Sequence, residues 1–223
     1  LTVYDFLQNS PPTETKPHLV KEAREALLRH LTSILGNDEV AAHFMLLHLL
    51  SRVHARADNV AVGKLSLNLT CFSKEIASVF STKLSVLIKN LLPFTKCILL
   101  TVEYLNTTSL APKKDYQINR LIPGVLQLAE GSHLMFDETC LETGTLNSAG
   151  VENARLLKAL TELQKVEYDF KYYKMEMMAH VQMLISSEGK SNILPAEILE
   201  AWRWYLATVR SMPQLIESDV YKN

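Results

Sequence analysis

A mostly parallel β-sheet flanked by helices, an α/β fold with helical additions at both ends, is the architecture this sequence predicts, and three observations carry it. Leu65, Leu67, Leu69 and Cys71 alternate with Ser66, Asn68 and Thr70, the two-residue period of a strand. Cys97 to Leu105 reads CILLTVEYL, a near-continuous apolar run of the kind found in strands covered on both faces. Stretches with three- and four-residue apolar spacing fall between such runs, so strands and helices alternate along the chain.

Residues 1–17 read as a short hydrophobic piece followed by a Pro/Thr linker. Residues 18–196 form the predicted α/β domain, with a helical lead-in over 18–60, and 197–223 a carboxy-terminal helical segment. In the lead-in, Leu19, Ala23, Leu27, Leu31 and Ile34 share a helix face that Gly36 is placed to end. Asp38 is placed to cap a second helix running to about Ala55. Apolar residues cover most of its circumference, which predicts burial between other elements. A helix from a Ser73 cap to Leu91, closed by Pro93, follows the first strand. Asp115–Leu128 has helical spacing broken by Pro123-Gly124. Ser132–Phe136 reads as a strand ending at Asp137-Glu138, and Val151–Gln164 as an amphipathic helix. Val166–Tyr172 alternates strictly, Val181–Ser186 is a core strand, and a last helix after Pro195 carries Trp202, Tyr205 and Val209 on one stripe.

Composition narrows the function. Hydrophobic residues make up 48% and charged residues 21%, ordinary for a folded soluble chain of 223 residues. A formal net charge of −1 supplies no global field for DNA or an anionic membrane. Three widely spaced cysteines, Cys71, Cys97 and Cys140, fit buried thiols in a reducing compartment better than disulfides or zinc. No apolar run approaches the ~20 residues that span a bilayer. The lack of an initiating Met at Leu1 predicts that the chain is part of something longer.

In a parallel sheet, chemistry gathers at the carboxyl ends of the strands. After the first strand the sequence is Asn68-Leu69-Thr70-Cys71-Phe72-Ser73-Lys74, with no glycine to let backbone N–H groups close on a phosphate. Asp137-Glu138, at the end of a hydrophobic strand, suits a Mg²⁺-holding Asp beside a water-activating Glu. The plainer alternative is two acids that cap the following turn. Ser187, in Ser186-Ser187-Glu188-Gly189, sits where a polar residue senses γ-phosphate in ATPases, or forms an ordinary turn. Asp137, Glu138 and Ser187 are therefore read as the remnant of a nucleotide site, with no catalytic residue, cofactor or metal. His43, His48 and His54, five and six apart, miss the spacing that puts two ligands on one helix face. Lys113-Lys114 and Lys171/Lys174 with Tyr172/Tyr173 form a small basic–aromatic feature that favours a solvated edge over nucleic acid.

The motifs Lys114-Asp115-Tyr116, Asn119-Arg120-Leu121, Gly124–Leu128, Asp137-Glu138-Thr139, Leu141-Glu142, Gln164–Phe170 and Ser187–Ser191 stand in an order that resembles the carboxy-terminal region of the minichromosome maintenance (MCM) complex-binding protein family. The resemblance covers about residues 19–196. It implies a degenerate AAA-type P-loop NTPase-like core without enzymatic activity, and a nuclear protein. It also implies binding to MCM helicase subunits, above all the third, and a chaperone-like role in assembling and disassembling the MCM complex in replication. No membrane and no direct nucleic-acid contact are expected. Tyr168, Phe170, Tyr172, Trp202 and Trp204 are the candidate partner-binding residues, and Arg120, Arg155 or Arg203 are candidates for reaching a partner's nucleotide. A nucleotide-dependent switch or weak ATPase built on Asp137-Glu138 is the alternative. Against the family pattern the passage from Ala196 to Asn223 is short, which predicts that the carboxy-terminal segment is incomplete.

Overall fold

The computed structural model describes residues 17–57, 60–70, 74–92, 94–189, 191 and 193. The sequence expectations for residues 1–16, Cys71, Ser73, Pro93, the helix after Pro195, Trp202, Arg203 and Trp204 lie outside them.

Helix α1 (Pro17–Ile34) ends where expected, because Gly36 and Asn37 take left-handed φ values of 70° and 65°. Asp38 then caps α2 (Glu39–Leu50), its carboxylate accepting from Ala41 N at 2.9 Å. Only one side of α2 is buried, through Ala42, Met45, Leu46 and His48; Val40, Leu47 and Leu50 are exposed, against the expected burial all round. The helix also stops short of Ala55, since Ser51 turns to extended backbone and donates its hydroxyl to His48 O at 2.8 Å.

A hairpin that the sequence did not announce follows, β1 (Ala55–Ala57) with β2 (Val60–Val62). Next come β3 (Leu67–Leu69), α3 (Lys74–Leu91) and β4 (Thr95–Leu99). The CILLTVEYL run is not one strand. Thr101 breaks it by accepting Tyr104 N on its Oγ1 at 3.0 Å, which caps α4 (Val102–Thr107). Asp115–Leu128 is likewise not helical. β5 (Lys113–Asp115) and β6 (Arg120–Ile122) make a hairpin whose turn is held by Asp115 Oδ1, which accepts from Gln117 N and Ile118 N, and by Asn119 at φ 50°. β7 (His133–Asp137), α5 (Ser148–Leu163), β8 (Lys165–Asp169), β9 (Lys174–Met178) and β10 (Gln182–Ser186) complete the order.

The principal sheet has four strands in the order β3-β10-β7-β4, every pair parallel. A second sheet, β6-β5-β8-β9, is mixed: β5 and β8 are parallel while both outer pairs are antiparallel. Parallel strands cannot be joined by tight turns, so helices cross over the principal sheet. On one face Leu69, Met135 and Leu184 pack with Leu31, Met45, Leu84 and Ile88 from α1, α2 and α3. Successive strand residues point to opposite faces, and Met183 of β10 meets Thr161 of α5 on the other. Asn153 ties α5 to α4 by donating its amide to Leu105 O at 2.7 Å and Thr108 O at 2.8 Å.

The hairpin β1–β2 braces the carboxyl end of α5. Arg56 donates to the carbonyls of Leu163, Gln164 and Ala179, and Lys64 to those of Thr161 and Glu162, so two cations satisfy the helix's last acceptors. Burial lowers the Lys64 ammonium to about 8. At the other end, Asn147 caps α5 through Gly150 N at 2.8 Å, and a Cβ at Gly150 would stand 2.2 Å from Asn106 Oδ1. Gly150→Ala is therefore expected to cost roughly 2 kcal/mol by pushing α4 from α5, read as a lowered denaturation midpoint. No helix of the described residues is long and apolar enough to cross a membrane.

Candidate functional site

The carboxyl ends of the principal strands bring together the three residues that sequence reasoning singled out there. β7 and β10 are neighbours in a register that opposes Asp137 to Ser186, and Glu138 N donates to Ser186 O at 2.8 Å. β10 lies between β7 and β3, so Ser187 N reaches Leu69 O at 3.0 Å. Asp137, Glu138 and Ser187 are all buried.

Each carboxylate is turned to a local task. Asp137 Oδ1 accepts from Thr139 N at 3.0 Å and from Thr139 Oγ1 at 2.5 Å, a charge-assisted turn that fixes the chain as it leaves β7. Glu138 Oε1 accepts from Ser191 Oγ at 2.8 Å and Ile193 N at 3.3 Å, and so pins the segment after β10. Ser187 Oγ lies 3.0 Å from Asn68 Oδ1 and 2.7 Å from Gly189 O, joining the ends of β3 and β10. Beside this row a cavity of about 440 Å³ opens between α4, α5 and the loop after β7, lined by Leu100, Leu105, Leu146 and Leu157. Its walls are mainly apolar, whereas a polyphosphate needs converging N–H donors.

A family model described as "Mini-chromosome maintenance replisome factor" matches residues 3–199. The chain belongs to that family. Curated relatives named "Mini-chromosome maintenance complex-binding protein" are similar along most of its length. The one from Arabidopsis thaliana is 56% identical over 241 residues, covering 99% of this chain and 41% of that protein. Those from Danio rerio and Homo sapiens are 42% and 40% identical, covering 78% and 88% of this chain but 27% and 29% of their own lengths. The chain thus spans less than half the length of these relatives.

In this member of the replisome-factor family, the candidate partner-binding residues of β8–β9 lie away from the strand ends, on the second sheet. Tyr168 and Phe170 are half-buried, while Tyr172 is 76% exposed at the hairpin tip. The two hairpin tips of the second sheet meet there. Tyr116 packs edge-on against Tyr172 with ring centroids 5.4 Å apart and donates its hydroxyl to Phe170 O, and Phe170 stacks on Tyr173. Arg120 is exposed on β6. Arg155 is committed to Glu152 at 2.8 Å and Glu167 at 2.7 Å, and Lys174 joins both acids. The Arg155 and Lys174 contacts hold the Glu152 carboxyl down at about 2.

Sequence reasoning missed what these three residues bond to: Thr139 for Asp137, Ser191 for Glu138 and Asn68 for Ser187. It also missed a buried pair at the opposite ends of the strands, where His48 Nε2 lies 2.9 Å from His133 Nε2. Among the described residues no cluster of three or more His, Cys, Asp or Glu is arranged to hold a metal ion.

Proposed function

We propose that this chain is a non-catalytic, degenerate AAA-type domain that docks on MCM helicase subunits and helps to assemble and disassemble the MCM complex in the nucleus. The observation that carries the reading is the state of the strand ends. The acids placed for Mg²⁺ and water are buried and bonded to Thr139, Ser191 and Ile193, within the fold itself. The residues after β3 offer no glycine for a phosphate cradle. Two further features support the ancestry. The serine-ended strand lies between the acid-ended strand and the strand that would precede a phosphate loop. The relatives, moreover, carry the name of an MCM complex-binding protein.

The third MCM subunit is the partner this reading selects. Purified MCM subunits offered singly to the immobilised chain test it. Retention of the third subunit above the rest, unchanged by ATP, is the expected result; retention of none contradicts it.

A further inference from the structure

Strand β9 is the outer strand of the second sheet, and each of its residues from Lys174 to Met178 is exposed. Among the described residues no strand pairs with its outer side. Phe170 N donates to Tyr173 O at 3.0 Å, so these two form a hydrogen-bonded pair of the β8–β9 hairpin. Pair types alternate along an antiparallel ladder, which turns the backbone groups of Met175 and Met177 toward β8. Lys174, Glu176 and Met178 accordingly present their N–H and C=O groups outward, an open template for another strand.

We propose that this edge pairs with the same edge of a second copy, antiparallel, about a two-fold axis at Met175. Charge selects the register. A bonded pair must join outward-facing residues of both copies. An axis at Glu176 would oppose two carboxylates, and one at Lys174 two ammonium groups. An axis at Met177 would set Glu176 against the partner's Met178. The axis at Met175 sets Lys174 against the partner's Glu176 and, by symmetry, Glu176 against the partner's Lys174. Both are outward-facing positions that can exchange backbone hydrogen bonds.

The side chains agree on both faces. Lys174 Nζ stands 2.7 Å from Glu152 and Glu167, and Glu176 stands 2.7 Å from Lys165, so the pairing prolongs a row of alternating charge from one copy into the next. On the opposite face Met175 meets the partner's Met175, and Tyr173 meets the partner's Met177. Met175 and Met177 are 43% and 44% exposed, and thioether side chains repack readily against a new surface. One short strand per copy buries less than the roughly 1,200–2,000 Å² of a stable interface. The association is therefore weak and concentration-dependent.

Sedimentation velocity of the 223-residue chain over roughly 1–100 μM, a range suited to a sub-standard interface, tests the proposal. The wild type should move from 25.2 kDa toward twice that mass. Met175→Arg, which sets two cations together at the axis on an exposed side chain, should stay monomeric. Lys174→Glu and Glu176→Lys should each weaken association on the order of tenfold. Mixing those two variants should restore it as a heterodimer, because both opposed pairs become complementary again. Circular dichroism confirms that each variant is folded, and Met175→Arg carries the test if the Lys174 variant is not. A wild type that is monomeric throughout, or a Met175→Arg chain that dimerises as the wild type does, overturns the proposal. So does a monomeric wild type whose retention of an MCM subunit is lost in Met175→Arg, which would assign the edge to that partner.

Discussion

Acidification from pH 7 to pH 5 is expected to lower the unfolding free energy by roughly 4 kcal/mol through the buried His48–His133 pair alone. His48 Nδ1 lies 2.6 Å from Leu65 O, a group that only accepts, so Nδ1 carries the proton. His48 Nε2 must then accept from His133 Nε2–H, leaving His133 Nδ1 as a buried acceptor without a partner among the described residues. Both rings are fully buried and neutral. Burial lowers His48 from 6.5 to about 4, and burial together with the neighbouring His48 lowers His133 to about 3. Because the folded values lie below the unfolded ones, the unfolded chain binds more protons between these limits. Stability is full above about pH 6.5 and falls as pH drops toward 4, by about 1.4 kcal/mol per unit for each ring. Urea denaturation at pH 7, 6 and 5 measures it. His133→Gln keeps an amide donor toward His48 Nε2 but removes one titrating ring, and should roughly halve the pH slope. A slope unchanged in that variant would contradict the assignment.

Asp137→Ala is the second large effect. The substitution strands the buried N–H and hydroxyl of Thr139, both of which now donate to Asp137 Oδ1. Losing those acceptor contacts costs roughly 2–4 kcal/mol. Asp137→Asn, which retains an acceptor oxygen in the same place, should recover most of it. The two variants separate a structural acid from a metal-binding one. A structural Asp137 tolerates Asn and leaves MCM retention intact in both variants below their melting temperatures. A metal-binding Asp137 would lose function in the isosteric Asn variant while keeping its stability.

Much of this architecture is legible in the residues, and the exceptions have physical causes. β7 and β10 announce themselves because they lie inside the principal sheet and carry apolar runs, and β3, at the edge of that sheet, because its apolar residues keep a two-residue period. β9 does not, since KMEMM is exposed at every position and no burial imposes an alternation. The turn before it uses Lys171 at φ 64° where a glycine would have flagged the hairpin. α4 was hidden inside an apolar run because its cap, Thr101, is equally at home in a strand. At the candidate site, Asp137-Glu138 and Ser187 stand out locally, yet what they bond to does not. Asn68 reaches Ser187 from 119 residues away, and Glu138 meets Ser191 across 53. His48 and His133 are 85 residues apart, a pairing that only the packing of α2 on β7 creates.

We propose that the acidic strand end at Asp137-Glu138 has become part of the fold and no longer serves a nucleotide. Titration calorimetry of the chain with Mg-ATP tests this directly. The expected result is no binding heat at millimolar ligand. A saturable heat that disappears in Asp137→Asn would contradict it and restore the acids to a nucleotide-dependent switch.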